Sequence, residues 1–172
     1  MGTRHKGTIA EIRALNTWIK MVRALGKIKP LIEGHLQSEG LTPAQFGVLE
    51  ILYHLGPLCQ KEISEKQLSS AGNITMVVNN LEKLKLVKRD RNPEDKRYYK
   101  VRLTEEGLKK IKIVFLKHTA KIMNVFSVLT KTEQVELSRL SKKSVWQDYH
   151  ELLNKKNHSI NLYFHSIKCT FR

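Results

Sequence analysis

The chain has 172 residues, 41% hydrophobic and 27% charged, which suits one packed domain and is too apolar for wholesale disorder. Lys and Arg number 31 against 16 Asp and Glu, a formal charge of +15 that excludes a typical acidic metabolic enzyme as the default and asks for an anionic partner. Two cysteines, Cys59 and Cys169, make no disulfide framework, so a reducing, cytoplasmic setting is expected.

In chain order, residues 8–38 read as one long helix, with Ile9, Ile12, Leu15, Ile19, Val22, Leu25, Ile28, Leu31 and Ile32 spaced three or four apart and Pro30 expected to kink it. Thr42-Pro43-Ala44-Gln45 opens the next helix as a cap, a first-turn proline and a capping-box glutamine, and Gly56-Pro57 stops it. Residues 61–68 predict a short helix with Ile63 and Leu68 inward. The small-residue turn Ser69-Ser70-Ala71-Gly72 leads into a second helix to about Leu86, together a helix-turn-helix. From Val87 the period changes. Residues 87–91 and 98–103 alternate as strands around the turn Asn92-Pro93-Glu94-Asp95, which predicts a hairpin wing. Thr104 caps another long helix, and Thr130 with Glu133 opens the last, which runs to about Leu153 with Leu137, Leu140, Val145 and Leu152 as its apolar stripe. Residues 155–172 form a basic tail with no clear period. The fold class is therefore mainly α with a small β-hairpin wing.

The second helix of the pair carries the functional signal. Ile74, Val77, Val78, Leu81 and Leu84 gather within roughly 100° of the helix circumference and must face a core. Gly72, Thr75, Met76, Asn79 and Lys83 lie opposite, with Asn73 and Asn80 flanking, and no charged residue occurs from Gln67 to Leu81. A merely solvated helix usually carries Lys and Glu. This surface suits a major groove, where amides read base edges and Thr or Met methyls meet the thymine methyl. Lys83, Lys85, Lys88 and Arg89 follow and suit phosphates. The candidate DNA contacts are Ser70, Asn73, Thr75, Met76, Asn79, Asn80, Lys83, Arg89, Arg91, Lys96 and Arg97. The charge is broad: residues 58–103 carry a balance of +5, residues 1–40 carry +4, and the last 18 residues add +4. The specific reading therefore rests on the helix and the wing.

Other chemistry lacks a centre. There is no Gly-rich phosphate loop and no Gly-x-Ser-x-Gly elbow. His150-Glu151-Leu152-Leu153-Asn154 resembles a zinc-protease helix but has Asn154 where the second imidazole belongs. Neither an enzyme, a metal nor a cofactor is expected. No run of 18 apolar residues suggests a bilayer span, and no signal peptide is expected.

The motifs in order resemble the MarR family of winged-helix regulators over about residues 8–153. The carrying pieces are Leu41-Thr42-Pro43-Ala44-Gln45-Phe46, Asn73-Ile74-Thr75, the stretch from Leu81-Glu82 to Val87-Lys88-Arg89, Pro93-Glu94-Asp95-Lys96-Arg97, and Leu103-Thr104-Glu105-Glu106-Gly107. Lys85 stands for the family's usual Gly, Asn92 for an Asp and Lys96 for an Arg. Loss of that Gly predicts that the recognition helix runs a little further before it turns. The resemblance implies a single domain over 1–154, with 8–38 and 104–153 as dimerisation helices and 42–103 as the DNA-binding lobe. It implies a homodimer on a pseudo-palindromic double-stranded DNA site, acting as a ligand-responsive repressor, with Arg97 in the minor groove and Asp95 bracing an arginine. Phe46 to Gly56 further resembles members that answer to quinones and phenols. A small aromatic ligand is expected near Ile12, His35, Gln45 and Phe46. Two alternatives stay open: redox sensing through Cys59, and a basic membrane-surface or protein-interaction module built on residues 108–126.

Overall fold

The computed structural model describes residues 2–91 and 99–155, with the side chains of 145–155 outside the described set. Among the described residues, six helices and three short strands follow in order: α1 (Ile9–Glu33), α2 (Pro43–Leu55), β1 (Leu58–Cys59), α3 (Gln60–Lys66), α4 (Ala71–Lys83), β2 (Val87–Arg91), β3 (Tyr99–Leu103), α5 (Glu105–Phe126) and α6 (Lys131–Lys155). The fold class is as expected, mostly helical with a small antiparallel sheet.

The helix starts follow the capping chemistry of the sequence. Thr8 with Glu11 and Thr42 with Gln45 form reciprocal capping boxes, each satisfying two otherwise orphan donors. Thr130 and Glu133 do the same for α6, with the Glu133 main-chain N–H on Thr130 Oγ1 at 3.3 Å. The hairpin β2–β3 pairs Val87 with Leu103 and Arg91 with Tyr99, and its tip at residues 92–98 lies outside the described residues.

Four features depart from the sequence reading. The first helix ends at Glu33, not 38: beyond Gly34 the bonds shorten to i+3, as in Leu36 N–H to Glu33 O (2.9 Å) and Gly40 N–H to Gln37 O (3.0 Å). A third strand, β1, pairs with β3 through Leu58 and Val101, giving the order β1-β3-β2; two residues are too few to show a period. Leu68 points out, 85% exposed, because it takes a left-handed φ of 50° where α3 closes. The recognition helix does not run on. It stops at Lys83, and Lys85 adopts the left-handed φ of 58° that a glycine at this position would take up freely, while Leu84 is exposed.

The core gathers under the winged lobe. Val48, Leu49 and Leu52 of α2, Ile63 of α3, Ile74, Val78 and Leu81 of α4, Val87 and Val101 of the hairpin, and Ile111 and Val114 of α5 are buried together. The start of α5 is locked to the turn after α4. Thr104 donates its N–H to Leu86 O (3.1 Å) and its hydroxyl to Lys85 O (2.6 Å), and its Oγ1 accepts from Gly107 N (3.0 Å). A Cβ on Gly107 would stand 1.9 Å from Leu86 O, so the close approach requires glycine.

By contrast α1 buries none of its residues, and Trp18 is 63% exposed. Leu25, Leu31, Ile113, Leu116, Met123, Val135, Leu137 and Leu140 are also exposed. An open cleft of about 740 Å³ runs beside the end of α1, lined by Leu25, Pro30, Leu36, Leu41 and Pro43 among others. Another of about 600 Å³ separates α5 from α6. No single helix among the described residues is long and apolar enough to cross a membrane.

Candidate nucleic-acid interface

The helix-turn-helix is built by α3 and α4, with Ile63, Ile74, Val77, Val78 and Leu81 turned inward. Ser64 donates its hydroxyl to Ser69 O at 2.6 Å and so ties the turn to α3. Outward face Ser70, Asn73, Thr75, Met76, Asn79, Asn80 and Lys83, all exposed, as a strip along the length of α4 without charge until its last member.

Their hydrogen bonds assign them different work. Ser70 is the N-cap of α4, and its Oγ accepts from Asn73 N–H at 3.3 Å. Asn73 donates Nδ2 to Ser69 Oγ at 2.7 Å, which fixes the amide across the turn. Thr75 donates its hydroxyl back to Ala71 O at 3.0 Å, so its proton is spent within the helix. Met76 is 59% exposed on the same face.

Arg89 sits on β2 beside the helix. Its guanidinium pairs with Glu82, its main-chain N–H donates to Glu82 Oε1 at 3.3 Å, and its Nη2 donates to Asn79 Oδ1 at 2.5 Å. The sequence reading gave Arg89 to a phosphate and did not foresee Glu82. The available signal was a single acid among the lysines that close α4. On the hairpin Asp90 pairs with Arg102, while Arg91 is exposed beside the tip. Asp95, Lys96 and Arg97 lie outside the described residues.

The residues expected around a small ligand separate. Gln45 is committed to the α2 cap, its Oε1 accepting from Thr42 N–H at 2.8 Å. Ile12 is half-buried on α1. Phe46 is buried and His35 half-buried, and both meet His118 of α5, which the sequence reading missed: ring centroids are 4.4 Å from Phe46 to His118 and 5.3 Å from His35 to His118. His35 Nδ1 lies 2.8 Å from Ile32 O, while His35 Nε2 and His118 Nδ1 are buried without a hydrogen-bond partner. Burial, and secondarily His35, hold His118 below the ordinary imidazole range. Next to this cluster Glu39 receives Lys117 at 2.5 Å and Lys110 at 3.1 Å, and those bonds hold its carboxyl below the usual carboxylate range. None of Ile12, His35, Gln45 and Phe46 lines the 740 Å³ cleft.

Cys59 is half-buried at the start of α3, and burial, joined by the Glu62 carboxylate, pushes its thiol up. A redox-sensing thiol needs the opposite shift.

Comparison with known proteins agrees with the geometry. Residues 41–99 match the model of the MarR family. The chain is 34% identical over 143 residues to the HTH-type transcriptional regulator MhqR of Bacillus subtilis, covering 83% of this chain and 98% of that protein. Among solved structures it resembles Sco3205 of Streptomyces coelicolor, a MarR family regulator in complex with DNA, at 22% identity and TM-score 0.72, over 83% of this chain and 90% of that one. It also resembles the PcaV regulator of the same organism in complex with its natural ligand, at 25% identity and TM-score 0.65, over 74% and 91% of the two chains. With the winged helix-turn-helix in place and a regulator aligned along nearly the whole of its own length, this chain belongs to the MarR family of DNA-binding transcriptional regulators, which are not enzymes.

Proposed function

We propose that the protein acts in the cytoplasm as a homodimeric, ligand-responsive repressor on a pseudo-palindromic DNA operator. The observation that carries the reading is the exposed face of α4: uncharged from Ala71 to Leu81, polar or methyl-bearing, and closed on the same face by Lys83. Ser70 and Asn73 shape the helix entry, Thr75, Met76, Asn79 and Asn80 meet base edges, and Lys83 and Arg91 meet phosphates. Arg97 is assigned to the minor groove, whose negative potential favours a cation, with Lys96 as a further DNA contact and Asp95 as brace; all three lie outside the described residues.

The dimer is supported by α1, none of whose residues is fully buried, and by the apolar side chains that α5 and α6 leave exposed. A second copy covers them, as the proposed dimerisation segments 8–38 and 104–153 require, and presents two lobes 42–103 about one DNA turn apart. PcaV holds its natural ligand in a like fold, and a small aromatic or phenolic ligand here is read at the seam where His35, Phe46 and His118 meet.

The test is titration of the dimer onto operator-length DNA at several salt concentrations, with mass by light scattering. Six to ten phosphate contacts, roughly, predict a loss of about 10³–10⁵ in affinity between about 50 and 200 mM salt, from a particle of twice the 19.9 kDa chain. A salt-insensitive complex or a monomer refutes it.

A further inference from the structure

Among the candidates — the orphan imidazole nitrogens at the α5 seam, the clefts along α1 and α6, the out-turned Leu68 — the polar relay from β2 to α4 reaches furthest. It rests on the DNA-reading role of α4 proposed above.

An exposed asparagine is chemically ambiguous: its amide turns over, and it binds adenine by accepting from N6 while donating to N7. Asn79 is not free to choose. Arg89 Nη2 stands 2.5 Å from one end of the amide. A guanidinium has donors only, so the atom facing it must be Oδ1, whichever way the amide would otherwise turn. Arg89 is itself pinned, with guanidinium and main-chain N–H both on the Glu82 carboxylate. Its side chain is only 22% exposed, so the pin is held within the angle between helix and hairpin. The positive charge at the oxygen end disfavours a second donor there, while Nδ2 is left to donate outward. On the helical circumference Asn79 falls between Thr75 and Met76, at about 140° from the buried Ile74, in the middle of the face turned to the groove rather than at its phosphate margin.

We propose that Glu82 and Arg89 are positioning residues that lock Asn79 as a donor, so that it reads a base edge presenting acceptors without a donor beside them, guanine N7 and O6 or thymine O4, and discriminates against adenine, whose N6 donor needs the amide oxygen that Arg89 occupies.

The experiment measures relative affinities of the full-length protein for a selected operator and for variants with each base pair changed in turn. Asn79→Ala locates the pair that Asn79 reads, its cost confined to one position in each half-site. There the wild type favours guanine or thymine over adenine by roughly tenfold. Arg89→Met releases the amide and brings adenine to parity or above. Glu82→Gln, which keeps the side chain's shape, moves the preference the same way by less and decides the matter where Arg89→Met does not fold. Adenine preferred by the wild type at that position overturns the proposal. So does a uniform cost of Asn79→Ala at all positions, or a preference that neither Arg89→Met nor Glu82→Gln moves. If the wild type binds no double-stranded DNA, the regulator reading has failed, and that is seen before any variant is made.

Discussion

Two single residues set the geometry between recognition helix and wing. Lys85 holds a left-handed φ of 58°, a conformation that disfavours any residue with a Cβ. It does so because Leu86 must turn back: its N–H reaches Leu81 O at 3.0 Å and its carbonyl receives Thr104. The tertiary tie overrides the local preference that predicted a longer helix. Lys85→Gly should therefore stabilise the fold by about 0.5–1 kcal/mol, a rise in Tm of about 1–4 °C by thermal melting. Gly107 is the converse. Its Cβ position collides with Leu86 O at 1.9 Å, and that oxygen belongs to main chain which cannot step aside. Gly107→Ala should cost about 2–3 kcal/mol in denaturant unfolding, with the start of α5 displaced from the wing.

Between elements, the contact of α5 with α2 and the segment that precedes it carries a pH dependence. Above pH 6.5, the ordinary imidazole value, His118 is neutral in both folded and unfolded chains and its packing on Phe46 contributes fully. Because burial lowers its folded pKa, the unfolded chain takes up a proton first as the pH falls, and stability is lost from about pH 6.5 down through the folded value. Melting curves at pH 7.5 and 5.5 should show this loss, and His118→Phe should flatten it. This seam was only half legible in the sequence. Phe46 and His35 lie near each other along the chain and were paired by position, but His118 is 72 residues beyond Phe46 and nothing local announces it. Glu39 and its two lysines were hidden for the same reason. Helix starts were legible because capping chemistry is local: Thr42-Pro43-Ala44-Gln45 is a complete signal within four residues. The two-residue β1 and the Glu82–Arg89–Asn79 relay depend on partners brought in by folding, and periodicity does not report them.

For the whole molecule, the exposed apolar faces and the proposed DNA-reading face of α4 are separate, so association can be perturbed without disturbing the fold of the winged lobe. Trp18→Glu on the unburied α1 should divide the dimer and remove tight operator binding while the winged lobe, whose core it does not touch, keeps its fold by circular dichroism. The central claim, paired lobes each inserting α4 into a major groove, is tested most directly by selecting the protein's preferred sequences from a random double-stranded DNA pool at moderate salt. The account predicts enrichment of an inverted repeat whose half-sites are centred about one helical turn apart. Enrichment of a lone asymmetric motif, or no enrichment at all, would contradict it.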